Sequence, residues 1–284
     1  MIPTAPGGFP VKSSAPGQAF RAYIVVQITR FVYPRIHLIE YNHPVHSRTV
    51  DFLLNLNRQF YQTFALQFAQ TRQRLQPGVR RLLPDLLQAN AILDLGCGNG
   101  ELARQLASQG YSGTYLGIDF SPLLLQEAAL GAADKQRFSF LQADLADSGW
   151  AGALHSSMFD CIVAFSVLHH LPGKSLRLAC LRQVRQRLSP SGCFMLSNWQ
   201  FLNSPRLRNR LQPWERVGLG AADLEEGDYL MDWRRGGVGL RYVHHFRLEE
   251  LQELAAAASF FIEETFLSDG EGGRLGLYQI WLPV

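Results

Sequence analysis

The sequence predicts an α/β fold whose central sheet is mostly parallel. Short apolar runs alternate with amphipathic segments through the middle of the chain, and two late strand-like runs are joined by a glycine-rich loop. Strands separated by helices imply parallel pairing with right-handed crossovers. A glycine-rich connection between neighbouring strands implies an antiparallel hairpin at the end of the chain.

The chain of 284 residues is long enough for one large domain or two small ones, and its 47% hydrophobic and 18% charged residues fit a globular protein. Residues 1–20 are rich in Pro, Gly and Ser and lack an apolar period. We therefore expect 1–46 to be a disordered or poorly structured extension, in which 21–41 either add a strand or have little structure. A single domain is expected over 47–284.

The elements of this domain follow from the period of their apolar residues. Helical spacing predicts two helices before the core, over about 51–70 and 78–87. In the core we expect strands at 91–95, 114–118, 138–142, 159–165 and 192–199, and helices at 101–109, 121–133 and 174–188. A helix over 247–258 and strands at 260–266 and 276–281 complete the set. An insertion over about 200–246 is expected to cover the acceptor, since ligands bind beyond the carboxyl ends of parallel strands.

Charge and cysteine content exclude several classes of protein. Residues 47–284 contain 23 basic and 23 acidic side chains and therefore have no net charge, which argues against an extended interface with nucleic acid. The region between Asp160 and Glu215 contains basic but no acidic residues. This region is either a solvated helix face with a loop or a basic rim that binds an anionic substrate.

The four cysteines form no CxxC pair and have no zinc-like spacing to histidine, so we expect no metal and a reducing, cytoplasmic setting. The apolar run 22–26 is far shorter than the roughly 18 residues of a membrane span, so no membrane association is expected.

The most informative segment is the run 92–100, which reads I-L-D-L-G-C-G-N-G. It predicts a buried strand, a tight turn whose glycines let backbone N–H groups approach a ligand, and the start of a helix. Glu101 breaks the G-x-G-x-x-G dinucleotide fingerprint, and together with Asp94 it disfavours a nicotinamide dehydrogenase. Further strand-end acids follow at Asp119, which is placed to bind ribose hydroxyls, and at Asp144.

This pattern resembles motif I and the later strand ends of the class I S-adenosylmethionine (SAM) methyltransferases. The resemblance implies a Rossmann-like, seven-stranded, mostly parallel sheet with an antiparallel C-terminal hairpin and helices on both faces. It also implies that Asp144 meets the adenine amino group. The residues expected to bind SAM are Asp94, Gly96, Gly98, Gly100, Asp119, Phe120, Asp144, Leu145 and Ser166.

Three further segments resemble the tRNA wobble-uridine carboxymethyl methyltransferases. They are the helix 60–72 ending in T-R, the V-L-H-H run 167–170 with Trp199, and the late acidic-to-Trp and R-Y-x-H-x-F segments at 227–233 and 241–246. This resemblance implies methylation of the carboxylate of a carboxymethyl-modified wobble uridine in tRNA, and a small activator subunit as a further partner. The chain departs from the family by having Leu171 and Pro172 where an aromatic residue is expected.

A carboxylate acceptor is already ionised at neutral pH, so this reaction needs positioning rather than a base. The candidates for positioning the acceptor are Arg72, His169, Arg241 and His244. Other roles stay open at this point: Arg72 could cap its helix or bind the carboxylate of SAM, and Arg241 could pair with the acids at 223–232. His169 could be a hydrogen-bonded core residue, and only one of His244 and His245 can face inward on a strand.

Two alternatives remain. A hydroxyl or amine on a small metabolite would need a base, and His169 or His170 would supply it. The chain could instead be a binding module that serves as a partner subunit without catalysis, although the intact glycines and acids argue against this.

Overall fold

The glycine turn lies at the middle of a seven-stranded sheet. A computed structural model describes residues 45–71, 73–132, 134–154 and 157–284, so Arg72 and almost all of the predicted extension 1–46 lie outside the described residues. The order of the strands is β3-β2-β1-β4-β5-β10-β9. The strands are β1 (Ala91–Leu95), β2 (Thr114–Asp119), β3 (Phe138–Gln142), β4 (Phe159–Phe165), β5 (Leu188–Trp199), β9 (Phe260–Ser268) and β10 (Gly276–Pro283).

Strands β1 to β5 are parallel, and β10 is antiparallel to both of its neighbours, β5 and β9. The strand order runs from β1 to β3 on one side and from β4 to β5 on the other. Open α/β sheets bind ligands at the point where the strand order reverses in this way, between β1 and β4. This arrangement confirms the predicted mostly parallel sheet with its antiparallel C-terminal hairpin. Strand β5 is longer than predicted, since it begins at Leu188 rather than at Gly192.

Helices cover both faces of the sheet. The larger apolar cluster joins α5 (Lys174–Arg187) and α7 (Leu248–Ala257) to one face, and a second cluster joins α2 (Pro77–Leu86) and α3 (Glu101–Ser108) to the other. Strand β1 is buried between them, with Leu93 fully inaccessible, because a parallel strand covered on both faces needs apolar side chains on both. The remaining helices are α1 (Ser47–Gln70), α4 (Pro122–Leu130) and the short α6 (Pro205–Arg208).

The insertion folds into a second, smaller sheet that the sequence analysis did not predict. Its antiparallel strands, in the order β6-β7-β8, are β6 (Leu211–Gln212), β7 (Asp228–Trp233) and β8 (Gly239–His244). Helix α1 packs along β8, where the Asn57 side chain accepts a hydrogen bond from the Tyr242 backbone N–H at 2.8 Å and donates one to its carbonyl at 3.2 Å. The amide of Asn57 thus satisfies the backbone of an edge strand and joins the insertion to α1.

Among the described residues, no helix combines the length and the apolar character needed to cross a membrane.

Candidate functional site

The three glycines that follow β1 all have left-handed backbone conformations. Their φ values are 66° at Gly96, 56° at Gly98 and 74° at Gly100, a region that residues with a side chain rarely adopt. A Cβ atom at Gly96 would lie 2.7 Å from a methyl group of Val167, and one at Gly100 would lie 2.8 Å from the Cβ of Ala128. A Cβ at Gly98 would meet nothing within 4 Å. Packing therefore requires the outer two glycines, whereas the middle one leaves bare backbone facing open space.

Asp119, at the end of β2, fixes the turn from the neighbouring strand. Its carboxylate accepts hydrogen bonds from the backbone N–H groups of Gly98 at 3.0 Å and Ser121 at 2.9 Å. Burial raises the pKa of Asp119 to about 6, and the hydrogen bonds from the backbone N–H groups limit that rise. The carboxylate is therefore held in place at the carboxyl edge of the sheet, next to the open backbone of Gly98.

Asp94 lies beneath the turn and is almost completely buried. It accepts a hydrogen bond from the Tyr115 hydroxyl at 2.5 Å. Burial raises the pKa of Asp94 to about 7; the Tyr115 hydrogen bond lowers it, and the nearby charge of Asp119 raises it. Two acids with raised pKa values thus lie side by side at the ends of adjacent strands, an arrangement typical of functional sites.

The ends of β3 and β4 complete this edge. Asp144 forms an ion pair with Arg58 of α1 at 2.6 Å and accepts a hydrogen bond from the Ala146 N–H at 2.9 Å. Ser166 has a left-handed conformation with φ 61°, and its N–H is hydrogen-bonded to the carbonyl and hydroxyl of Ser197, both at 3.0 Å. A left-handed backbone conformation at a non-glycine residue is strained, and such residues are often found at functional sites.

These groups line one cavity between the carboxyl edge of the sheet and helix α1. All the predicted SAM-binding residues except Gly100 line it, and the structure places Gly100 against α4 at the start of α3. The members of the predicted set that line the cavity are Asp94, Gly96, Gly98, Asp119, Phe120, Asp144, Leu145 and Ser166.

The opposite wall of the cavity comes from one face of α1 and from the loop after β4. Tyr61 and His170 meet there, with the tyrosine hydroxyl 2.9 Å from the histidine Nε2. The His170 Nδ1 lies 3.3 Å from the Tyr242 carbonyl, and the Asn57 side chain donates to the His170 carbonyl at 3.3 Å. The α1 residues on this wall are Leu54, Asn57, Arg58, Tyr61 and Phe68.

Of the four residues expected to position the acceptor, Arg72 lies outside the described residues, and the other three do not line the cavity. His169 is 1% exposed, and its Nδ1 accepts a hydrogen bond from the Trp199 N–H at 3.4 Å. Arg241 is buried among three aromatic rings, with its guanidinium carbon 5.1 to 5.7 Å from the ring centroids of Phe60, Trp199 and Trp233. Neither is among the described residues that line the cavity. Their surroundings are those of core residues that hold α1 and the insertion together.

His244 also lies away from the described cavity wall, in a buried ionic network between the insertion and the core. Its Nδ1 is 2.7 Å from Asp228 and its Nε2 is 3.0 Å from Glu250, while Arg177 pairs with Glu225 and Glu250. Burial alone would lower the pKa of His244, but the hydrogen bonds with the two carboxylates outweigh burial and raise it. This network fastens the insertion to α5 and α7.

His244 is thus the inward-facing member of the pair, and the ring of His245 packs against Phe201. Burial and the neighbouring His244 lower the pKa of His245 to about 4. Glu225, Asp228 and His244 are close enough to share a cation. Since Arg177 already supplies positive charge to this group, the arrangement is that of an ion-pair network.

Arg58 and Tyr61 were missed as site residues by the sequence analysis. Together with Leu54 and Phe68 they recur at helical spacing along one face of α1. The sequence did contain a signal for them, because Arg58 and the hydroxyl of Tyr61 are polar groups on an otherwise apolar helix face. Arg74 and Gln76, in the segment between α1 and α2, also line the cavity and had no sequence signal.

Comparison with known proteins places this site in a family. Residues 68–265 match the model of a methyltransferase domain family. A protein of Encephalitozoon cuniculi named only as a methyltransferase is 27% identical over 71% of this chain and 85% of its own length. The probable tRNA methyltransferase 9B of Mus musculus is 26% identical over 55% of this chain, which spans only 33% of that protein. The ubiquinone biosynthesis O-methyltransferase of Pasteurella multocida is 32% identical over 48% of this chain and 53% of its own length.

Solved structures share the fold. A SAM-dependent methyltransferase from Methanosarcina mazei has a TM-score of 0.57 at 24% identity, covering 74% of this chain and 98% of that one. The CcbJ methyltransferase of Streptomyces caelestis has a TM-score of 0.52 at 19% identity, covering 72% and 93%. At these identities the likeness concerns the arrangement of the sheet and its helices.

Proposed function

This chain belongs to the methyltransferase family whose domain it matches, as a class I SAM-dependent enzyme, and from that premise we propose that its acceptor is a hydroxyl or amine held against helix α1. The membership confirms the predicted enzyme class and cofactor. The methyl acceptor, by contrast, is inferred from the site itself.

The donor half of the cavity fits SAM. Gly98 offers space next to its backbone to a ligand at the turn into α3, and the positive end of the dipole of this helix favours a carboxylate there. Asp119 could accept hydrogen bonds from the ribose hydroxyls, and Asp144, just beyond the end of β3, could accept one from the adenine amino group. When bound there, SAM supplies an electrophilic methyl group on a sulfonium. Ser166 and Val167, which directly follow β4, also line the cavity.

One observation carries the choice of acceptor: His170 lines the cavity, whereas His169, Arg241 and His244 do not. A hydroxyl or amine must lose a proton as it gains a methyl group, and a histidine is the side chain best suited to accept it near neutral pH. Of the residues expected to position a carboxylate, His169 and Arg241 lie in the core and His244 lies in the ionic network, whereas Arg72 is outside the described residues. A small metabolite with a proton-bearing acceptor atom therefore suits the described wall.

The test is transfer of radiolabelled methyl groups from SAM to the low-molecular-weight fraction of host cells and, in parallel, to bulk host tRNA. We expect label in a small molecule, stable to mild alkali as an ether or a methylamine is. Label in an alkali-labile ester within nuclease-digested tRNA would contradict the proposal.

A second candidate is the carboxymethyl group of a tRNA wobble uridine, and the similarity to the mouse tRNA methyltransferase 9B favours it. The guanidinium groups of Arg58 and Arg74 on the cavity wall could orient a carboxylate, and Tyr61 and Phe68 could stack on a base. Host extract added to the tRNA assay tests for the activator subunit that the family resemblance implies. In that case label would enter tRNA only when the extract is present.

A further inference from the structure

Two of the four cysteines face each other across neighbouring strands. Cys161 of β4 and Cys193 of β5 are register partners in the parallel part of the sheet, and the sulfur atoms of these free thiols are 3.6 Å apart. Neighbouring strands lie about 4.8 Å apart, which is within the range of about 4.4 to 6.8 Å that the Cα atoms of a disulfide span. An S–S bond between the two residues therefore needs rotation of their side chains rather than movement of the backbone.

The two thiols differ in their access to solvent. Cys161 is 2% exposed, among apolar side chains between the sheet and helices α2 and α3, whereas Cys193 is partly exposed. A hydrogen bond with the Cys161 thiol lowers the pKa of Cys193, against the opposite effects of burial and of the carboxylates of Asp85 and Asp160. Since the thiolate is the reactive form of cysteine, Cys193 is the thiol of the pair that an oxidant reaches and attacks first.

The other two cysteines provide a contrast within the same chain. Cys97 and Cys180 are both buried. Burial raises the pKa of Cys180 to about 12, and burial together with the charges of Asp94 and Asp119 raises the pKa of Cys97 well above its usual value. Thiols of this kind stay protonated at neutral pH and react slowly. The reactive thiol chemistry of this chain is therefore expected at Cys193.

The pair lies away from the cavity. Phe165 and Ser197 line the cavity, and each follows one of the two cysteines by about 13 Å along its own strand, since a strand rises about 3.3 Å per residue. A bond between the sulfur atoms of Cys161 and Cys193 would thus join β4 to β5 without occupying the space of a ligand.

We propose that Cys161 and Cys193 form a modification site, at which hydrogen peroxide converts the two thiols to a disulfide that links β4 to β5. The Cys193 thiolate attacks one oxygen of the peroxide, the O–O bond breaks, and the leaving oxygen takes up a proton, so that a sulfenic acid and water form. The Cys161 sulfur then attacks the sulfenic sulfur, and its proton leaves with the hydroxyl group as a second water. Two thiols and one peroxide thus give one disulfide and two waters, with two electrons passing from sulfur to oxygen. This reaction is independent of the methyl acceptor and hence of the proposed function.

The experiment treats the purified full chain with a small excess of hydrogen peroxide at neutral pH, removes the excess with catalase and alkylates the remaining thiols. Peptide mass spectrometry without reduction then locates the products. We expect two of the four thiols to be lost and the peptides of Cys161 and Cys193 to be linked within one chain. Cys97 and Cys180 should still be alkylated, and dithiothreitol should restore both lost thiols.

Three variants separate the roles of the two thiols. Cys193→Ala removes the attacked thiol, so the loss of the Cys161 thiol should slow by about tenfold or more. Cys161→Ala removes the second thiol, so Cys193 should accumulate as a sulfenic acid that dimedone traps. Cys180→Ala is the matched control, because the same substitution removes a buried thiol of α5 and should leave disulfide formation unchanged.

The oxidised chain should be more resistant to unfolding and should bind SAM as before. We expect its unfolding midpoint in urea to rise by about 1 M, because the link closes a loop between residues 32 apart in sequence. Its affinity for SAM should change less than about twofold, since the cavity is about 13 Å from the link.

Three results would overturn the proposal. Cys193 found as a sulfinic acid, or linked to a second chain, would show that Cys161 does not complete the reaction. Loss of the Cys97 or Cys180 thiol at the rate of the pair would show that the pair has no reactivity of its own. An unfolding midpoint that falls on oxidation would show that the link does not fit the native sheet.

Discussion

The two walls of the cavity differ in how they are built. The donor wall consists of residues at or just beyond the carboxyl ends of β1, β2, β3 and β4, so each is placed by its own strand. The α1 wall depends on contacts between distant parts of the chain, such as the hydrogen bonds between Asn57 and Tyr242. The comparison suggests that donor binding is a local property of the sheet edge. Acceptor recognition instead requires α1, the loop after β4 and the insertion to be assembled correctly.

The largest effect is expected where the insertion is fastened to the core. Arg177 is 1% exposed and pairs with the partly buried Glu225 and Glu250, so Arg177→Met would leave these carboxylates without their counter-charge. We expect the free energy of unfolding to fall by about 3–5 kcal/mol. The exposed ion pair of Arg81 with Glu264 supplies the control, since Arg81→Met should cost less than about 1 kcal/mol. Denaturant titrations measure both, and similar losses would show that the buried network does not fasten the insertion.

The next effect isolates the donor wall. Gly98→Ala should weaken SAM binding about 100-fold, or about 2.7 kcal/mol, because the new methyl group enters the space next to the backbone that faces the ligand. Gly110, which lies after α3 and outside the site, supplies the control. Its φ is also positive, at 76°, and a Cβ atom there would likewise meet nothing within 4 Å. Gly110→Ala should therefore cost similar stability, about 1–2 kcal/mol for the left-handed backbone, at unchanged affinity. Calorimetric titration measures the affinities, and equal affinities of the two variants would contradict this role of Gly98.

A smaller effect is expected in the dependence of SAM affinity on pH. Hydrogen bonds from ribose hydroxyls favour the ionised form of Asp119, whose pKa of about 6 in the free protein is raised mainly by burial. SAM affinity should therefore rise as the pH is raised from 5 through 6 and level off above it, by up to about tenfold per pH unit on the acid side. Asp119→Asn should bind more weakly and lose this dependence. An unchanged profile in that variant would assign the pH dependence to another group, such as Asp94.

The smallest effect is expected at Arg58, which joins the two walls through its ion pair with Asp144. Both side chains are partly exposed, at 34% and 23%, so the pair contributes little to stability. We expect Arg58→Ala to change the free energy of unfolding by less than about 1 kcal/mol. A change in SAM affinity of more than tenfold would show that α1 controls donor binding, and the two walls would then be coupled rather than independent.

The same contrast explains what the sequence could predict. The strand-end acids and the glycine turn are local patterns, and eight of the nine residues they indicated line the cavity. The choice among His169, His170, Arg241 and His244 depends on contacts between residues far apart in the chain. Even if Arg241 and His244 are assumed to lie on a strand, periodicity does not show that aromatic rings enclose the first and that carboxylates bind the second. The small sheet of the insertion was missed because β6 is only two residues long and because neither β7 (D-Y-L-M-D-W) nor β8 (G-L-R-Y-V-H) alternates strictly between apolar and polar residues.

The most direct test of the two-wall account is a crystal structure with S-adenosylhomocysteine bound. We predict that the ribose hydroxyls lie on Asp119 and that the adenine lies beside Asp144. The sulfur should lie near Ser166, with the α1 wall facing the space next to it. A nucleoside bound elsewhere, or a sulfur separated from the α1 wall by the body of the ligand, would contradict the account.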